Sequence, residues 1–295
     1  MKLKLIGTLG LLSGMLLAAS AARAQQGQTA QEGFGPLDPS QPTGKTVAQI
    51  IEHMGKRESE FATARESYIF RQDVRFNTVS DDTGRPDGEY HQITDITFDK
   101  DGRRMEHVVF APQNTIERVI MTEEDFKEIE HRLPFILTTP ELTDYNISYL
   151  GKQHVDEIDT YVFDVSPKQP YQKGRRYLQG RVWVDQQDDE IVLVNGVSFP
   201  QDTRPGHEDL SPPYTTYYEQ IDSKYWFPVY TRAEGVLHFA AQRGALSQDV
   251  HVRTIVKYTD YKQFHTSITI HYDGQDITNQ REDQNKPQTQ QTPPK

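Results

Sequence analysis

The chain has 295 residues, 25% of them charged and 35% hydrophobic, with a formal net charge of −11 and no cysteine. That length fits two domains or one large β-sheet domain. The lack of cysteine excludes a disulfide scaffold, a thiol nucleophile, a thiolate metal site and an acylated-cysteine anchor. The acidic balance argues against a nucleic-acid backbone as the main partner, because that affinity comes from clustered Lys and Arg.

Residues 1–24 read as a secretory signal. Lys2 and Lys4 give a basic start, 5–19 is an apolar run, and Ala22-Arg23-Ala24 places small residues where a signal peptidase reads them. Cleavage after Ala24 is expected, with the mature chain in a bacterial periplasm, since most exported eukaryotic domains of this size carry disulfides. Residues 25–44 are rich in Gln, Gly and Pro and read as a flexible leader.

A single domain is expected over 45–272. It opens with a helix over about 46–63: Thr46 and Gln49 have capping-box spacing, and Val47, Ile50, Ile51, Met54 and Phe61 fall on one stripe. The period then changes to two. Tyr68, Phe70, Val74 and Phe76 alternate with Arg71, Asp73 and Arg75, the pattern of a strand with one buried and one wet face. Strand-like segments follow at 90–98, 103–110, 145–150, 151–155, 161–165, 181–185, 191–194, 225–232, 236–239 and 250–258. One helical interlude at 122–132 starts on Thr122-Glu123-Glu124-Asp125 and carries Phe126, Ile129 and Leu133 on one stripe. About ten strands at hairpin spacing with two helices predict an α+β, mostly β fold built on one large curved antiparallel sheet. Residues 273–295, rich in Gln, Asn, Thr and Pro, read as a disordered tail.

The stretch Gly151-Lys152-Gln153-His154-Val155-Asp156, followed by Tyr161-Val162-Phe163-Asp164-Val165-Ser166-Pro167-Lys168 and then Gly180-Arg181-Val182-Trp183-Val184-Asp185 with Ile191-Val192, resembles the periplasmic lipoprotein-sorting superfamily. That superfamily comprises LolA- and LolB-like carriers and the sensor RseB. Tyr225-Trp226-Phe227-Pro228 and Val256-Lys257-Tyr258-Thr259-Asp260-Tyr261 resemble its closing strands. The resemblance implies an incomplete half-barrel with helices over its mouth, enclosing an apolar cavity for acyl chains. Segments 199–214 and 240–248 stand as extra loops, and no functional residue of the carriers is carried over.

Motifs for catalysis are weak. Gly196-Val197-Ser198 lacks the second glycine and the following helix of a serine elbow. The ten histidines are scattered, with no pair two to four residues apart, so no metal is expected; His238 and His251 are the pair a hairpin could bring together. Asp188-Asp189-Glu190 reads as a solvated hairpin tip, and Lys173, Arg175 and Arg176 as either plain surface or a contact for a lipid headgroup or phosphate. Seven aromatics between Tyr214 and Tyr230 suit core packing, a ligand cavity or a sugar platform.

The expected function is therefore non-catalytic and without cofactor: binding of a lipid, acyl chain or lipoprotein in the half-barrel. Candidate cavity residues are Tyr68, Phe70, Val74, Phe76, Ile96, Phe98, Val182 and Val184, faced by Phe126 and Ile129 of a lid helix. A sensor or interaction module for an envelope protein is the alternative, and an envelope hydrolase the third reading. Nucleic acid is not an expected partner, nor is a membrane span once the signal is removed.

Overall fold

The computed structural model describes residues 33–99, 101–119, 135–201, 212–241 and 246–264, together with Thr122, Glu123, Asp125 and a short strand pair, His271–Tyr272 with Gln275–Asp276. The expected signal, most of the expected tail and the helix bearing Phe126 and Ile129 lie outside the described residues.

Helix α1 (Val47–Ala64) begins where its capping box dictates. Thr46 Oγ1 accepts the Gln49 N–H at 3.2 Å, and the Gln49 side chain accepts the Thr46 N–H at 2.8 Å. Ile50, Met54 and Phe61 are buried, so the predicted stripe faces the core.

Ten strands form one open sheet: β1 (Tyr68–Val79), β2 (Pro86–Phe98), β3 (Arg104–Phe110), β4 (Tyr145–Val155), β5 (Ile158–Pro167), β6 (Tyr177–Asp185), β7 (Ile191–Phe199), β8 (Tyr214–Ile221), β9 (Tyr225–Phe239) and β10 (Gln248–Gln263). Their order is β3-β2-β1-β10-β9-β8-β7-β6-β5-β4, antiparallel throughout. Every neighbour is a hairpin neighbour in sequence except β1 with β10. The two edges, β3 and β4, are therefore consecutive in the chain, and residues 111–144 run from one edge to the other.

Two expected breaks are absent, several strands run longer than expected, and β8 falls where no strand is expected. Gly151 ends no strand: it sits at φ +148° at a register shift inside β4, and the two segments read on either side of it are one strand. Segments 225–232 and 236–239 are likewise the single strand β9. Strand β8 carries an alternation (Tyr214, Thr216 and Tyr218 buried, Thr215 and Tyr217 partly exposed) written in Tyr and Thr on both faces, so hydropathy alone does not separate them.

The main core lies between the concave face and α1. Ile50 and Met54 pack with Val74, Val182, Val184, Phe163 and Val256, and Phe135 and Leu137 from the edge-to-edge segment complete it. A second cluster, Phe76 with Val250 and Val252, is covered by Ile116 and Val119 of the same segment.

The expected leader is docked from residue 33 on. Asp38 and Lys152 exchange both backbone hydrogen bonds at 2.7–2.8 Å, Gly35 N–H donates to the His154 carbonyl, and the Phe34 ring meets Trp183 edge-on at 5.8 Å. Residues 33–40 thus form a strap along the outer edge of β4. The low hydrophobicity that reads as flexibility here serves backbone pairing instead.

Candidate functional site

The sequence-derived cavity residues are placed as follows. Val74, Val182 and Val184 are buried against the α1 side chains, and Ile96 is fully buried on β2. Phe76 belongs to the second cluster. Tyr68 packs with Phe61, Tyr225 and Phe227, while Phe70 is half-buried and stacks on Tyr261 at 5.2 Å. Phe98 is half-buried at the end of β2. Along β6 the concave face is covered by side chains of α1.

Helix α1 is held there by charge. The last two residues of the turn between β6 and β7, expected to be a solvated tip, are buried: Glu190 is 1% and Asp189 5% exposed. Arg57 of α1 pairs with Glu190, Lys45 Nζ lies 2.6 Å from Asp189 Oδ2, and His53 Nδ1 lies 3.3 Å from the same oxygen. The Trp226 N–H donates to Glu190 Oε2 at 3.1 Å. From the helix side, Glu58 is almost wholly buried and accepts the Ile191 N–H at 3.2 Å. Burial, reinforced by the nearby Glu190 charge, pushes the Glu58 carboxyl up to about 8. These acids were legible as residues but not as buried ones, because their burial depends on where α1 docks.

The two histidines that a hairpin could bring together pair with separate acids. His238 Nδ1 lies 2.6 Å from Asp249, whereas His251 Nε2 lies 3.1 Å from Glu234, so the two imidazoles share no site. Among the described residues no group of three or more His, Asp or Glu side chains could hold a metal ion. No helix among the described residues is long and apolar enough to cross a membrane. The aromatic run divides by strand alternation: Tyr214 and Tyr218 enter the main core, Tyr225 and Phe227 pack on Phe61, and Tyr217 and Tyr230 contact each other at 6.2 Å elsewhere.

Among the described residues, two features bear on a ligand or partner. A cavity of about 400 Å³ opens between the end of α1, residues 135–141 and β4, β6, β7 and β8, with Arg65, Arg175, Tyr145 and Tyr177 in its lining. The second is the free edge of the sheet. Strand β4 has its outer edge covered by the strap, but β3 pairs only with β2 among the described residues. Its Met105, Val108, Val109 and Phe110 are 46–53% exposed. Sequence reasoning placed this strand but could not see that it ends the sheet.

The fold and its free edge define an open antiparallel half-barrel with a helix packed in its concavity. No family model matches the chain, and no curated protein does. Among solved structures, it is similar to one titled "Crystal structure of MucB", at 9% identity and TM-score 0.25, over 72% of this chain and 93% of that one. It is also similar to "Crystal structure of MucB in complex with MucA(peri)", at 9% identity and TM-score 0.21, over 71% of this chain and 93% of that one. Likeness that loose transfers neither function nor residue roles.

Proposed function

We propose that this chain is an exported, non-catalytic interaction protein of the bacterial cell envelope, and that strand β3 receives an extended segment of a partner protein. The observation that carries this reading is the contrast between the sheet's two edges. An exposed apolar edge strand is a template for pairing, and folded proteins ordinarily cover or charge such edges. Here one edge is covered by residues 33–40, while the other presents four large apolar side chains to solvent. A seven-residue edge offers backbone donors and acceptors for strand addition, with side chains setting specificity. The occupant that fits is an extended peptide with apolar residues at alternate positions. Export is supported by the signal read over 1–24.

The test is a photo-reactive side chain at Val109, activated in the intact envelope, with adducts identified by mass spectrometry. A defined protein adduct from Val109, absent from a control position at Thr215 and abolished by Val108→Lys, is the expected result. No adduct, or only adducts to a second copy of this chain, would overturn the reading.

A second reading keeps a lipid, acyl chain or lipoprotein as ligand. It is favoured by the cavity beside α1, whose volume lies within the roughly 300–1,000 Å³ typical of ligand sites. In this reading α1 lifts to enlarge the site. Native mass spectrometry of protein purified without detergent, followed by organic extraction, would find a stoichiometric lipid or acylated peptide; a bare mass that gains no adduct from added lipids would sink it.

A further inference from the structure

We infer that the face of the sheet turned away from α1 binds a neutral saccharide, in a recess on strands β8 and β9. The inference goes beyond the strand-addition reading and does not rest on it, because the β3 edge lies at the far side of β2, β1 and β10. The recess has a volume of about 510 Å³, within the roughly 300–1,000 Å³ of ligand sites. Its lining is Pro213, Thr215, Tyr217, Tyr230, Arg232 and Glu234. Strand alternation puts these side chains there. Tyr214, Tyr218 and Ala233 enter the main core, so Thr215, Tyr217, Arg232 and Glu234 face the opposite way. Register then groups them: Tyr217 stands opposite Tyr230 and Thr215 opposite Arg232, an aromatic row beside a polar one.

A sugar ring has apolar C–H faces and hydroxyl edges, so its site needs aromatic surface next to side chains that donate and accept. The rings of Tyr217 and Tyr230, half-buried with centroids 6.2 Å apart, supply the aromatic part. Thr215 supplies a donor: its hydroxyl accepts from Asn195 Nδ2 at 2.8 Å and so keeps its own proton to give. Arg232 donates to Glu234 at 2.5 Å through Nη2, and its remaining N–H groups have no partner among the described residues. That bond also sets the ligand's charge. An anion would have to compete with Glu234 for Arg232, and a cation with Arg232 and with Arg253, 2.7 Å away, for Glu234. A neutral hydroxyl competes with neither. An acyl chain would cover the rings and leave the polar row unmatched. A peptide is disfavoured because β8 and β9 are interior strands, whose backbone groups are spent on their neighbours, and strand addition needs an edge.

The test is calorimetric titration of the mature protein with chitotriose, maltotriose and cyclohexanol, repeated on Tyr230→Ala, Tyr230→Phe and Arg232→Ala. The expected result is a Kd of about 1 mM or tighter for at least one of the two sugars, with cyclohexanol at least about tenfold weaker. Sugar affinity should fall at least about fivefold in Tyr230→Ala and in Arg232→Ala, and stay within about twofold in Tyr230→Phe, which keeps the ring. A preference for chitotriose would assign the recess to extended, β-linked chains, and a preference for maltotriose to curved, α-linked ones; either supports the inference. No binding of either sugar would overturn it, as would cyclohexanol binding as tightly as the sugars, which would make the recess a plain apolar patch. Sugar affinity unchanged in Arg232→Ala would overturn it too. Arg232 is exposed, so its replacement reads the site even where loss of the Tyr230 ring perturbs the sheet. None of these outcomes touches the β3 edge, which the Val109 adduct tests separately.

Discussion

At the scale of single residues, the most consequential group is Glu58. Its side chain lies between α1 and the β6–β7 turn, against Glu190, and burial holds its proton to about pH 8. An unfolded chain releases that proton near pH 4.5. Between those values the folded state binds more protons than the unfolded one, so stability falls as pH rises. The contribution is fully favourable below about pH 4.5, is lost progressively towards pH 8, and is flat above. Glu58→Gln keeps an acceptor for the Ile191 N–H and removes the titration. Urea midpoints of the wild type should fall between pH 5 and pH 8 relative to those of the variant, by up to about 1.4 kcal/mol per pH unit in this single group. Parallel curves for the two proteins would mean that Glu58 is solvated in solution.

At the scale of elements, the docking of α1 rests on its apolar stripe and on the charge pairs at one side of it. Glu190 is almost completely buried, and Arg57 is its cationic partner. Removing one partner of a buried pair strands the other charge, which typically costs about 3–5 kcal/mol; Arg57 is partly exposed, so the lower end is expected here. Arg57→Ala should therefore lower stability by about 3 kcal/mol, and adding Glu190→Gln should recover part of that loss in a double-mutant cycle. A loss below about 0.5 kcal/mol would show that Ile50, Met54 and Phe61 alone hold the helix.

These elements also show how far the sequence could be read. The Thr46–Gln49 box fixed the start of α1, and the alternation from Tyr68 to Phe76 fixed the phase of β1, because both signals are local. The buried state of Asp189 and Glu190 depends on residues more than 130 positions away, so no local pattern encodes it. Val74, Val182 and Val184 read locally as apolar strand residues, but whether a ligand or α1 covers them is a tertiary fact. Lys173, Arg175 and Arg176 read as a cluster in the sequence, whereas Arg65, at the end of α1, joins the two arginines only in three dimensions.

At the scale of the whole molecule, an open sheet must manage two edges, and this one treats them differently. The strap on β4 depends on Gly151, whose φ of +148° disfavours other residues and whose added Cβ would come within 2.3 Å of the Asp38 carbonyl oxygen. Gly151→Ala should therefore release residues 33–40 and expose the β4 edge. Two consequences follow from edge chemistry: the Lys152 amide, now bonded to Asp38 at 2.7 Å, should exchange faster, and the protein should begin to self-associate through the opened edge. Because Gly151 also sits at a register shift with β5, Phe34→Ala is the cleaner companion. It removes the Trp183 contact and leaves the β4 backbone unchanged. Hydrogen exchange and sedimentation velocity on both variants would decide the matter. Faster Lys152 exchange with concentration-dependent association in both would establish the strap as the guard of one edge, and so make the unguarded β3 edge a feature the fold keeps open. Exchange and sedimentation unchanged in both would mean that β4 needs no guard, which would remove the contrast on which β3 was singled out.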